Sequence, residues 1–298
     1  MRVVTRPDFD GIVCAALLYE AEKISRPILW VQPSDMQKGL VHIESTDIIA
    51  NLPYYEGCGL WFDHHVTNRQ KCPVKGAFRI APSAARVIYD YYKGRFGNDY
   101  ALLIRQTDDI DSANLSQDQV KHPEDYPHVL LSMTISGQDL KEAPYWNKLV
   151  QLLRRFPVRE AITDPEVAVR CREAVARNIV FQKLLIEHTR QQQHVAVTDF
   201  RPLWPAPDGN RFLVYSLYPE TSVSVRIRYT DPELATVNIS VGRNIFNKTC
   251  RVNIGMMLAR YGGGGHAGAG ACTFPADKSD VYIPMIINAL IENQGTEK

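Results

Sequence analysis

The sequence predicts an α/β protein of two domains. An N-terminal domain of βα units on a parallel sheet leads through a helical linker to a smaller C-terminal α/β domain with a mixed sheet, and a ligand site is expected in the cleft between them. Three observations predict this. The chain has 298 residues, and at roughly 100–200 residues per domain that suggests two. Through residues 1–100, short apolar runs alternate with helical patterns, the signature of a parallel sheet with right-handed crossovers. Beyond residue 190 the pattern changes to longer strands of alternating polarity.

Taken in order, Val3-Val4 reads as a short buried strand, and Gly11 to Lys23 as a helix with Ile12, Ala15, Ala16 and Tyr19 on one face. Ile28 to Gln32, Asp47 to Asn51 and Leu60 to Phe62 read as the next three strands. Pro82-Ser83 opens a helix through Tyr92 that Gly94 closes. Ala143 to Glu187 is almost entirely helical, with Asp164 capping a long helix. The polar stretch Arg190 to Gln193 marks the expected boundary between domains 1–190 and 191–298. A strand from His194 to Val197 follows, then strands over Ser222–Arg228 and Ala235–Val241 around a turn at Asp231-Pro232. A helix over Asn253–Tyr261 runs into the glycine run Gly262 to Gly265 and His266, and a final helix covers about Val281 to Asn293.

The composition is 45% hydrophobic and 22% charged, enough to bury a sizeable core. A formal net charge of +1 removes the strongly basic footprint of a protein that holds long nucleic acid by bulk charge. No apolar run reaches the ~18–20 residues that span a bilayer, and Met1 to Asp8 reads as a strand entering a polar loop, not a signal peptide. Six scattered cysteines without a Cys-x-x-Cys read as reduced, mostly packed thiols. The expectation is a cytoplasmic protein with no membrane partner.

The chemistry-bearing residues gather where strands should end, and ligands of such sheets bind outside the carboxyl ends of the strands. Asp8 and Asp10 follow the first strand, Asp63-His64-His65 ends the fourth, and Asp108, Asp109 and Asp111 lie near the end of the helix that starts after Asn98. Carboxylates and imidazoles in one crevice suit Mn²⁺ or Mg²⁺, and two such ions can clamp the attacking and leaving oxygens of a phosphoryl transfer. Each cluster alone has a plainer reading: an Asp-x-Asp-Gly is most often a turn or helix cap. Tyr54, Tyr55, Trp61 and Trp146 read as core or rim residues before base-stacking ones. In the second domain, Gly263, Gly264 and Gly265 before His266 allow backbone N–H groups to approach a phosphate.

In this order the motifs resemble those of the DHH phosphoesterases, the family named for its Asp-His-His tripeptide. The similarity is greatest to the branch with a DHH-associated C-terminal domain, which includes nanoRNA and 3′-phosphoadenosine-5′-phosphate phosphatases, RecJ-type exonucleases and proteins labelled exopolyphosphatase-like. It extends over nearly the whole chain, because Gly262 to His266 resembles the glycine-rich His motif of that domain. The resemblance implies Asp8, Asp10, Asn51, His64 and Asp108 as metal ligands, Asn51 with its neutral amide as the weakest, His65 as a contact to substrate phosphate, Asp63 as the residue that orients the histidines, and Asp109 as an aid to positioning phosphoryl oxygens. It implies Arg6, Arg243, Gly263, Gly264, Gly265 and His266 as substrate-binding. The implied cofactor is Mn²⁺, with Mg²⁺ as the alternative, as one or two ions. The implied partner is a short nucleotide-type phosphoester and no long duplex; a homodimer is allowed. Three departures matter. The family's usual His four residues before the first Asp is Val4 here, the RecJ-type Asp two residues before it is Arg6, and the bridging Asp of the second motif is Asn51. These favour a single ion held by Asp10, His64 and Asp108. They also keep open two alternatives, a polyphosphate hydrolase and a phosphate-binding protein of weakened catalysis.

Overall fold

The computed structural model describes residues 1–137 and 139–295. They form two compact units: Met1–Leu115 with Pro123–Ala174, and Ser116–His122 with Val175–Lys298. The division therefore falls inside one long helix and not after residue 190. The polar stretch taken as the boundary, Arg190 to Gln193, falls largely within β6 (Thr189–Gln192), an edge strand of the second sheet, and the short segment Ser116–His122 joins the second unit.

The first unit is built on β1 (Arg2–Thr5), β2 (Leu29–Trp30), β3 (Asp47–Ala50), β4 (Leu60–Asp63) and β5 (Gly76–Phe78), all parallel, in the order β2-β1-β3-β4-β5. Their continuous apolar runs are covered on both faces, as parallel strands require; Val3, Val4, Ile48, Ile49, Trp61 and Phe62 are fully buried. The chain leaves β1 for β2 on one side and returns to β3 on the other, so a switch point lies between β1 and β3.

Around this sheet lie α1 (Phe9–Ala21), α2 (Pro33–Gln37), α3 (Ala84–Tyr91) and α4 (Ala101–Asp111). Then follow α5 (Gln117–Lys121), which belongs to the second unit, α6 (Pro127–Ser132), α7 (Ala143–Arg155), α8 (Val158–Ala161) and α9 (Pro165–His188). Helix α1 is apolar on every side and packs on α3, α4 and α7 as well as on the sheet. That burial fixes its N-terminus, where the acidic residues sit.

The second unit holds β6 (Thr189–Gln192), β7 (Val195–Asp199), α10 (Leu213–Leu217), β8 (Val223–Tyr229), β9 (Thr236–Arg243), α11 (Ile254–Ala259), β10 (Gly264–His266), β11 (Ala269–Pro275) and α12 (Ser279–Glu292). Its sheet runs β10-β11-β9-β8-β7-β6, with β7 and β8 parallel and the other pairs antiparallel. Alternation along β8 and β9 buries Val223, Val225, Ile227, Val237, Ile239 and Val241. They pack against Leu258 of α11 and Ile286 and Leu290 of α12. The glycine run is not a loop. Gly262, at φ +75°, ends the turn after α11, and Gly264 to His266 then form an edge strand.

Four of the six cysteines are buried and none forms a disulfide. Among the described residues no helix is long and apolar enough to cross a membrane.

Candidate metal and phosphate site

The site grows from three adjacent strand ends. Asp8 and Asp10 follow β1, Asn51 follows β3, and Asp63, His64 and His65 close β4. Asp8 caps α1, its Oδ1 accepting from the Gly11 amide at 2.8 Å. A Cβ at Gly11 would lie 1.9 Å from the Arg6 carbonyl oxygen, so the tight passage from β1 into α1 requires glycine. Gly11→Ala should therefore cost about 1–3 kcal/mol through overpacking, read by chemical denaturation.

Asp10 is 2% exposed and faces the first turn of α3, where Oδ2 accepts from Ala84 N and Oδ1 from Ala85 N, both at 2.9 Å. Burial, and then the neighbouring Asp8 charge, push its carboxyl up to about 6. Burial also raises Asp8, opposed chiefly by Arg6. Such a pair is poorly tolerated without a cation beside it.

His64 is prepared to meet that cation. Its Nδ1 lies 2.9 Å from the Ala81 carbonyl and donates to it, so in the neutral imidazole Nε2 is the nitrogen with the lone pair. That Nε2 is buried without a hydrogen-bond partner, 3.3 Å from Asp111 Oδ2 in a geometry that makes no hydrogen bond. Asp10, His64 and Asp111 each present a ligand atom within 4.8 Å of the others. An O,N,O donor set with one histidine locked by a backbone carbonyl suits Mn²⁺. The trio Asp63, His64 and His65 is equally compact, but Asp63 is already engaged. Its Oδ1 accepts from His64 N, His65 N and His65 Nδ1, and its Oδ2 from Asn68 Nδ2. Fully buried, Asp63 orients both histidines and, as the main cause, raises the His65 pKa.

The structure differs from the sequence expectation along α4. Asp111 meets His64, whereas Asp108 is clasped by Arg86, at 2.9 Å to Nε and 2.6 Å to Nη2, and accepts from Ser83 Oγ at 2.7 Å. Asp109 accepts from Asn114 and lies near His128, apart from this trio. Arg6 pairs with Asp8 Oδ2 at 3.0 Å. Asn51 donates from Nδ2 to Asp8 Oδ1 at 3.0 Å, in a left-handed backbone (φ 56°) that asparagine tolerates. Val4 is fully buried in β1. Trp61 and Trp146 are fully buried and offer no face to a base.

Sequence reasoning missed Asp111, Asn68, Ala81 and the amides of Ala84 and Ala85. Only Asp111 left a signal, as one of three aspartates at the end of α4. In the second unit, Arg243 spends Nε and Nη2 on the Val252 carbonyl. His266 is exposed, and its Nδ1 accepts from Gly268 N at 3.1 Å. Gly263 and Gly265 leave no room for a Cβ, which would lie 2.3 Å from the carbonyl oxygens of Ala271 and Ala269 respectively; at Gly264 there is open space.

Among solved structures, this chain is similar to the pGpG-specific phosphodiesterase PggH of Vibrio cholerae. Identity is 30% and the TM-score 0.84, over 98% of this chain and 99% of that one. It shares its fold with an exopolyphosphatase-related protein of Bacteroides fragilis (12% identity, TM-score 0.53, 98% of this chain and 93% of that one). The fold also recurs in RecJ of Thermus thermophilus in complex with Mn²⁺ (13% identity, TM-score 0.57, 98% of this chain and 52% of that one). No family model and no curated protein sequence matches it.

Proposed function

The chain belongs to the DHH family of phosphoesterases, which makes it a hydrolytic enzyme, and we propose that it is a metal-dependent phosphodiesterase of short 5′-phosphorylated dinucleotides, with pGpG as the foremost substrate. The observation that carries the reading is the buried, unpartnered Nε2 of His64 between Asp10 and Asp111. These three residues would hold one divalent ion, with Asp8 beside them. A bound Mn²⁺ supplies Lewis acidity and lowers the pKa of the attacking water.

The chain's own groups do the rest. The α3 amides and the Ala81 carbonyl fix Asp10 and His64, so the proposed ion's place would be set before substrate arrives. His65, held toward its cationic form by Asp63, would donate a hydrogen bond to a phosphoryl oxygen as the water oxygen bonds to phosphorus and gives up a proton to solvent, while the bond to the ribose oxygen breaks and that oxygen takes up a proton from solvent to leave as the hydroxyl. Arg243 and His266, with the backbone of Gly263 to Gly265, are proposed to contact the substrate. A near-neutral net charge suits a substrate with few phosphates.

The test is hydrolysis at graded Mn²⁺ over pGpG, pApA, a nucleoside 3′,5′-bisphosphate and polyphosphate. Metal-dependent cleavage of dinucleotides with pGpG preferred is expected; preferential cleavage of polyphosphate would replace the reading with the phosphoanhydride one. His266→Ala should raise KM roughly 3–10-fold, the worth of one hydrogen bond, while Mn²⁺ affinity stays unchanged. A loss of metal in that variant would remove His266 from the substrate side.

A further inference from the structure

Resting on the metal-phosphoesterase reading above, we infer that Arg6, clamped by Asp8, supplies the second positive charge of this site, so that the chain works with one ion and one guanidinium where a two-ion enzyme has two ions. Two dications a few ångströms apart repel strongly and need a shared carboxylate. At the position that the family resemblance gives as bridging, this chain has the neutral Asn51.

The residues that would make a second cation site are all committed otherwise. Val4 is apolar and fully buried. Asn51 is neutral and turns its Nδ2 to Asp8 Oδ1. The opposite orientation would set the amide oxygen against that carboxylate, so Asp8 itself fixes which way the amide points. Asp8 accepts at Oδ1 from Gly11 N and Asn51 Nδ2, and faces Arg6 Nε at Oδ2. The Oδ1 of Asn51 is buried and unpartnered, but a single neutral oxygen does not hold a dication; it is suited to accept from water or a substrate hydroxyl.

Arg6 fits the role from the other side. Its side chain is 42% accessible, so a substrate can reach it. Among the described residues Asp8 is its one acidic partner. Arg6 follows β1 and His65 follows β4, at the same ends of the sheet's strands as Asp10 and His64. A guanidinium can take two phosphoryl oxygens at once through its planar fork.

The experiment counts ions and measures turnover on the same protein. Wild-type protein equilibrated with excess Mn²⁺ and analysed by elemental mass spectrometry should hold one ion per chain. Arg6→Ala should keep that ion, melt as the wild type does, and lose about a hundredfold in kcat on pGpG, the usual cost of deleting one transition-state donor. Guanidinium chloride at sub-denaturing concentration should restore part of the loss, which a structural role would not permit, and Arg6→Lys should fall between. Two ions in the wild type, or an Arg6→Ala enzyme that guanidinium does not rescue, would overturn the inference and leave the metal-phosphoesterase reading standing. A wild type that binds no Mn²⁺ and cleaves no pGpG would overturn both.

Discussion

Asp111→Asn should lower Mn²⁺ affinity by more than about a hundredfold, whereas Asp108→Asn should leave it within about tenfold of wild type. Removing a group that merely orients a ligand costs 10–100-fold in affinity, so removing one of the three proposed ligands should cost more. Asp111 stands 3.3 Å from the unpartnered His64 Nε2 and within 4.8 Å of Asp10. Asp108 is neutralised by Arg86 and by Ser83, the cap of α3. Its loss should appear in stability instead, at about 1–3 kcal/mol for charge-assisted hydrogen bonds, with a smaller effect on Asp10 through a loosened α3. Calorimetric titration of both variants with Mn²⁺ separates the roles. Equal loss in the two would return Asp108 to the metal. Dinucleotide hydrolysis at saturating Mn²⁺ should follow the same order.

The part of the site that the sequence displays is the part carried by strand ends. Asp8, Asp10, Asn51 and Asp63-His64-His65 each follow a short apolar run, and the parallel pairing of β1, β3 and β4 brings these ends together. The part it hides is carried by a helix end and by the main chain. Three aspartates within four residues of α4 differ in direction by a fraction of a turn, and only the neighbour that clasps one of them decides which faces the crevice. Here that neighbour is Arg86, in the first turn of α3, and nothing in its local sequence announces it. The Ala81 carbonyl and the Ala84 and Ala85 amides carry no side-chain signature at all. The second unit shows the same division. β8 and β9 alternate cleanly and are legible, whereas β10 and β11 are built largely from Gly, Ala and other small residues, whose lack of bulk conceals the strand period. The helix α9 crosses the unit boundary without a break, so no composition shift marks the division.

Asp63→Asn should reduce kcat by about 10²–10³-fold at neutral pH, comparable to deleting a preorganised donor, and should move only one limb of the pH profile. Asp63 is buried, and its Oδ1 lies 2.7 Å from His65 Nδ1, a contact that raises the His65 pKa above 6.5. A base whose folded pKa is raised contributes stability that is fully present below the unfolded pKa and is lost as pH rises through the folded one. In the proposed mechanism the protonated His65 is the form that donates to phosphate, so the alkaline limb should follow this pKa and move downward in Asp63→Asn. The acid limb has another origin. Asp10 is raised from 3.8 to about 6, chiefly by burial, so between those values the unfolded chain has already released a proton that the native state keeps. The metal-free protein should therefore lose stability as pH rises through that window, while Mn²⁺ affinity, which requires the ionised carboxylate, should rise. Profiles of kcat/KM on pGpG with Mn²⁺ titrations at each pH test this directly. A variant whose acid limb moved together with its alkaline limb would mean that Asp63 acts on the metal ligands and not through His65.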